Sequence, residues 1–305
     1  MYNHKKYIEY ISSFGIYIFI IASLSRLLRV IKVPKALLII IDNYKHKIVE
    51  QRLEKEYKYI ISEDISIKVY NNEEKTYVFW WQGVDHAPEI VKLCITSIKK
   101  NSPYEVIILS EDNFREYVDI PDFIIEKVKC KNISLAHFSD ILRFYLLYQR
   151  GGFWIDATDF LTKPIPSNIL CYNFYSIKGA YPQPGLGWDW SSWFMYAKPY
   201  NAISYEMIKF YNYYWRNYNQ AVTYLFLDCF LTLLVKNNKE IAKLIHKIPE
   251  TGTDVFWLVS HLNDNVNSQI KDYLFNHSAF VQKVTYKMLL KEDNTLYSFL
   301  KNEKI

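Results

Sequence analysis

Three short stretches of this chain carry residue types and spacings that can do chemistry. Ser139, Asp140 and Arg143 stand three and four positions apart, which on a helix places a hydroxyl, a carboxylate and a guanidinium within one turn. Asp156, Thr158 and Asp159 directly follow the apolar run Phe153-Trp154-Ile155. Carboxylates at a strand exit are hard oxygen ligands, able to hold a divalent cation while leaving positions open for phosphate oxygens. Trp80, Trp81 and Gln82 close the run TYVFWW, where a flat indole can stack on an aromatic base.

The elements that must position these residues are legible around them. Ser134 can cap a helix whose apolar residues Leu135, Phe138, Ile141, Leu142, Tyr145 and Leu146 recur at helical period. Gly151-Gly152 ends that helix and turns the chain sharply into the strand Phe153–Ile155. The fold-back is expected to gather the helix cluster and the acids into one small volume. Strands are expected at Thr76–Trp81, Glu105–Ser110, Asn173–Lys178, Ser192–Lys198 and Lys283–Lys287, and helices at Ala87–Lys100, Ile203–Tyr218 and Leu225–Lys236. The alternation predicts an α/β domain with a mainly parallel sheet between helices, its ligands beyond the carboxyl ends of the strands. The Gly/Pro/Trp-rich loop Tyr181–Trp190 reads as a substrate-covering segment.

The residues also have plainer readings. Asp140 and Arg143 fit an ordinary helix salt bridge, Trp80 and Trp81 fit a core, and His86 and His137 match no metal-binding spacing. No GxSxG, Walker loop or GxGxxG is present, which argues against a hydrolase, a P-loop enzyme or a dehydrogenase.

The 305 residues suffice for one large or two small domains with a sizeable core, and there is no internal repeat. A net charge of +5 without a basic stripe gives no sign of nucleic-acid binding. Cys94, Cys130, Cys171 and Cys229 are widely spaced and read as buried thiols of a reducing compartment. The 27 Tyr fit sugar binding through their amphipathic rings, but the composition of an AT-rich genome is the favoured explanation.

Met1 to Tyr70 read as a helical extension, and Asn71 to Ile305, opening on a polar linker, as the main domain. Tyr10–Ser25 is uncharged and apolar, flanked by Lys5, Lys6, Arg26, Arg29, Lys32 and Lys35, but falls short of the roughly 20 residues of a spanning helix. It reads as a membrane-surface segment, a signal anchor or a helix buried against the domain, the first favoured by the flanking charge.

The conjunction of Ser-Asp-x-x-Arg, Gly-Gly, an apolar strand and Asp-x-Thr resembles the DxD-type sugar transferases, which include the large clostridial toxin glucosyltransferases. Spelled Gly-Gly-Phe-Trp-Ile-Asp-Ala-Thr with Thr162-Lys163-Pro164 after it, the stretch looks most like the bacterial capsular polysaccharide synthesis proteins. The resemblance covers about Tyr77 to Lys287. It implies a GT-A-like domain and transfer of a sugar from a nucleotide-sugar donor, with retained anomeric configuration, to a capsular or exopolysaccharide intermediate. The implied setting is cytoplasmic, peripheral on the inner face of the cell membrane, with a lipid-linked saccharide or polysaccharide acceptor. Asp156, Asp140 and Arg143 are then the catalytic candidates. Trp81 or Trp80, Gln82, Ser139, Gly152 and Thr158 join them in donor binding. A divalent cation, Mn or Mg, would lie on Asp156, Thr158 and Asp159, but Thr158 stands where the family has its second aspartate, and a hydroxyl is the weaker ligand. Asp254 or His277 are further candidates for that shell. A non-catalytic assembly partner and a sugar-phosphate transferase are the alternatives.

Overall fold

The computed structural model describes residues 2–63, 74–180 and 189–303. Residues 71–73 of the polar linker expected over Asn71–Lys75, and 181–188 of the Tyr181–Trp190 loop, lie outside these residues, while Lys75 already opens a strand. The chain divides into two compact units, one of Met1–Ile67, Ile120–Phe144 and Ala202–Lys243, the other of Lys68–Asp119, Tyr145–Asn201 and Leu244–Ile305.

Among the described residues the first unit is helical. Its helices include Tyr2–Phe14, Ile16–Val30, Lys35–Glu54, Tyr57–Ile61, Asp122–Lys129, Ala202–Asn217 and Phe226–Asn237. Aromatic side chains fill its centre: Phe210 stacks on Phe230 with ring centroids 4.2 Å apart, and Tyr214, Trp215 and Phe226 pack edge and face around them. The amino-terminal helices are part of this packing. Phe14 lies 5.0 Å from the Tyr218 ring, the Tyr10 hydroxyl donates to the Val222 carbonyl at 2.6 Å, and Val49, Leu53 and Ile60 are buried.

The second unit holds the sheet. Its strands are β1 (Lys75–Phe79), β2 (Glu105–Leu109), β3 (Gly152–Ile155), β4 (Asp159–Leu161), β5 (Phe174–Ser176), β6 (Phe194–Ala197) and β7 (Val281–Lys283). Five of them form a sheet in the order β2-β1-β3-β6-β5, and β4 pairs with β7 in a separate ribbon. β1 is parallel to β2 and β3, whereas β6 is antiparallel to both β3 and β5. The sheet is therefore mixed, not mainly parallel as expected. A parallel return needs a crossover of a dozen or more residues, usually a helix. The helix Glu89–Asn101 supplies one between β1 and β2, while only the short turn of helix Ser167–Cys171 lies between β4 and β5.

The helix Leu135–Gln149 belongs to the first unit up to Phe144 and to the second from Tyr145. Ser134 caps it, its hydroxyl accepting from the His137 N–H at 3.3 Å. The two glycines after it are required by the fold. Gly151 and Gly152 have φ of +69° and +89°, and a Cβ on Gly152 would meet the Lys75 carbonyl oxygen at 2.5 Å. Only glycine lets β3 start so close to β1.

Candidate functional site

The carboxyl ends of β1, β2 and β3 form one edge of the sheet. Their register sets Phe79 beside Leu109, and the chain leaving β1 stays joined to the chain leaving β2: the Trp80 N–H donates to the Leu109 carbonyl and the Glu111 N–H to the Trp81 carbonyl, both at 2.9 Å. Beyond β3, the Asp156 N–H donates to the Trp193 carbonyl at 2.8 Å, and the Asp159 N–H to the Asp156 carbonyl at 2.9 Å. This last bond is a tight turn that starts β4.

The side chains at that turn are held from several directions. Asp156 accepts from the Trp154 indole N–H at 2.9 Å through Oδ1 and from the Lys283 ammonium at 2.8 Å through Oδ2. Lys283 also donates to Asp159 Oδ1 at 2.9 Å, because the antiparallel register sets Lys283 directly across from Asp159. The indole ring of Trp193 lies 5.4 Å from the Lys283 nitrogen, close enough for a cation–π contact. Asp159 is fully buried, while the Asp156 side chain keeps 26% of its exposure. Burial pushes the Asp159 carboxyl up to about 8, against the pull of Lys283. Burial alone would lower the Lys283 ammonium, but Asp156 and Asp159 outweigh it and raise it to about 12. The buried Cys94 thiol, whose electrostatic neighbours are Asp159 and Lys283, is pushed up by burial.

The two tryptophans at the end of β1 are both half-buried. Trp81 packs against Phe79 and lies 6.3 Å from the Phe114 ring at an interplanar angle of 30°. Trp80 meets Tyr286 edge-on at 5.5 Å, beside the segment that follows β7. Gln82 is exposed on the turn that Gly83 closes. Gly152 starts β3, at the end of the strand opposite Asp156, and there makes the close approach to β1.

Ser139, Asp140 and Arg143 assemble within the helical unit. Arg143 donates to the Ser139 hydroxyl at 3.2 Å and pairs with Asp140 at 3.2 Å. Arg143 is only 4% exposed, so the pair is not the surface salt bridge that its spacing allows. Buried Tyr211 feels both charges, although burial is the chief cause that raises its hydroxyl. Asp156, Thr158 and Asp159 belong to the other unit.

Of the set expected to hold a metal, Asp156 and Asp159 both accept from Lys283. Among the described residues no group of three or more His, Cys, Asp or Glu side chains could hold a metal ion. Thr158 is half-exposed and its carbonyl accepts from the Val284 N–H. Asp254 accepts from the Tyr273 hydroxyl and the Ala279 N–H, and His277 pairs with Asp272 on the surface. The cysteines also differ from expectation: Cys130 and Cys171 are exposed. Sequence reasoning named Lys283 only as the start of a strand and gave Trp193 no role. The strand ends at Lys283, and neither residue carries a local signal.

A search of curated proteins finds no match. Among solved structures, one described as "PaToxG Glycosyltransferase" aligns over 79% of this chain and 100% of its own at 14% identity, with a TM-score of 0.39. The family model described as "Capsular polysaccharide synthesis protein" matches residues 31–302, and so takes in the helices Lys35–Glu54 and Tyr57–Ile61 that lay outside the expected resemblance. The chain belongs to the capsular polysaccharide synthesis protein family.

Proposed function

We propose that this chain is a glycosyltransferase that moves a sugar from a nucleotide-sugar donor to a capsular or exopolysaccharide intermediate, with retention of configuration. Membership of the capsular polysaccharide synthesis family supports this substrate class. The observation that carries the reaction is Asp156, a carboxylate fixed at the carboxyl edge of three adjacent parallel strands yet partly exposed. Ligands of α/β sheets sit beyond such ends. Held by Trp154 and Lys283, Asp156 is a preset acceptor for hydroxyls of the ribose or the sugar, and it needs no reorganisation when the donor arrives. Trp81 offers a face for the base. Ser139, Asp140 and Arg143 stand as separate donor-binding candidates of the helical unit, a guanidinium being a rigid fork of donors. Donor hydrolysis and transfer, assayed over a panel of nucleotide sugars, test the reading. Turnover lost in Asp156→Asn supports it, and no turnover of any donor by the intact chain returns it to a non-catalytic assembly partner.

The acceptor in this reading is lipid-linked, and the amino-terminal helices support a membrane-surface seat. Ile16, Ile20, Leu24 and Leu27 form an exposed stripe along the helix Ile16–Val30, while Ile18, Ile21 and Ser25 on its other side are buried. Leu37, Ile40 and Tyr44 of the next helix are exposed as well, and a 2.6 Å hydrogen bond joins the Tyr17 and Tyr44 hydroxyls. Asp42 pins the two helices together by accepting from Ser25, Arg29 and Lys45. Exposed Arg26, Arg29 and Lys32 flank the apolar face, which suits an anionic lipid surface. No helix among the described residues is long and apolar enough to cross a membrane.

A further inference from the structure

We propose that Lys283 is a built-in cation that takes the place of a divalent metal on Asp156 and Asp159, so that donor binding at this edge is metal-independent. The proposal rests on the transferase reading for its purpose, but not for its geometry. A divalent ion needs several oxygens left free to turn toward it. Here the ammonium already bridges Asp156 Oδ2 and Asp159 Oδ1 at 2.8 and 2.9 Å, and Trp193 covers one side of it. The other Asp156 oxygen is engaged by the Trp154 indole.

Asp159 cannot serve as an entering ligand either. It is fully buried, with one oxygen on Lys283 and the second, Oδ2, sealed without a hydrogen-bond partner. A buried carboxyl group needs a hydrogen-bond partner, and Lys283 donates to Asp159 across the ribbon. The residue that would compensate, Thr158, brings a hydroxyl where a carboxylate is needed. The lysine supplies a fixed positive charge between Asp156 and Asp159, and Thr158 adds no second carboxylate for an exchangeable one. Asp156 is left oriented, with its exposed rim free of any requirement for metal.

The test uses the full-length chain and two probes, Mn²⁺ alone and a panel of nucleoside diphosphates (UDP, GDP, ADP and CDP). Calorimetry and Mn²⁺ electron paramagnetic resonance should show no Mn²⁺ uptake by the wild type at micromolar concentrations, and EDTA should leave its melting temperature unchanged. Nucleoside diphosphate binding should be equal with EDTA and with Mn²⁺. Lys283→Ala frees two carboxyl oxygens and should gain Mn²⁺ affinity by about tenfold or more, while Lys283→Arg keeps the charge and should still reject the ion. Stoichiometric, micromolar Mn²⁺ binding by the wild type, or diphosphate binding only when Mn²⁺ is present, overturns the proposal. Should Lys283→Ala not fold, the wild-type measurements decide alone. Failure of the transferase reading looks different: no diphosphate binds under either condition, while the wild type still excludes Mn²⁺.

Discussion

Asp156 has two fixed hydrogen-bond donors and a partly exposed rim, so its loss should separate chemistry from stability. Asp156→Asn keeps an acceptor for Trp154 and should fold with a melting temperature close to the wild type. Its transfer rate should fall about 100-fold, in line with the 2–3 kcal/mol of a charged hydrogen bond. Near-normal turnover at a saturating donor concentration would remove Asp156 from the site. Trp81 makes the contrasting case. Base stacking is much the same in ground and transition states, so Trp81→Leu should raise the Michaelis constant for the donor about tenfold with little change in maximal rate. Trp80, which packs edge-on against Tyr286, should affect the melting temperature more. Exchange of the two phenotypes would assign the stacking to Trp80.

At the scale of elements, the junction between the helix Leu135–Gln149 and β3 is the least tolerant point in the sheet unit. Gly152→Ala combines a left-handed backbone with a Cβ only 2.5 Å from the Lys75 carbonyl, so β1 and β3 must separate. The expected cost is about 3 kcal/mol or more. Gly83 has a similar φ of +78° but nothing within 4 Å of a Cβ, so Gly83→Ala should cost only about 1 kcal/mol. Equal destabilisation by the two substitutions in urea unfolding would show that backbone strain, not packing, governs both. The helix Lys35–Glu54 gives a pH-dependent case. His46 is buried with Nδ1 unpartnered, and burial lowers its pKa from 6.5 to about 4, with Lys45 and Arg29 acting the same way and Asp42 opposing. The folded state therefore binds fewer protons than the unfolded chain between these values. The stability is fully present above pH 6.5 and is lost as the pH falls toward 4. The loss from pH 7 to pH 5 should be about 2 kcal/mol, and His46→Leu should remove that part of the slope. An unchanged slope in the variant would mean that His46 is already protonated in the folded chain or is solvated.

At the scale of the whole molecule, the proposed membrane-surface seat is tested on the amino-terminal helices. Removing everything before Asn71 is a poor test of membrane seating, because Phe14, Ile18, Val49, Leu53 and Ile60 belong to the core of the helical unit. Substitutions on the exposed stripe are cleaner. Wild-type protein should sediment with anionic vesicles at low salt and be partly released at high salt. Ile20→Glu combined with Leu27→Glu should abolish sedimentation without lowering the melting temperature, since both side chains are exposed. Wild-type protein that stays in the supernatant with anionic vesicles would end the membrane-surface reading.

What could be read from the sequence is what local spacing determines. The helix around Ser139, its Ser134 cap, the glycine stop and the strand ending at Asp156 follow from period, capping chemistry and the left-handed backbone of glycine, all within a few residues. Sheet direction was legible only where a helix intervenes, as between β1 and β2. The antiparallel β6 depends on what the chain does after β4, where no periodic signal speaks. Two decisions belong to the tertiary structure alone. Arg143 has the spacing of a surface salt bridge, and only the packing of the helical unit buries it. Lys283 lies 127 residues from Asp156 and 124 from Asp159, and one residue of slip in the β4–β7 register would turn its side chain to the other face of the ribbon. An Asp-x-Thr in sequence suggests a weakened metal site; that a lysine stands across from Asp159 and bridges it to Asp156 is visible only in the fold.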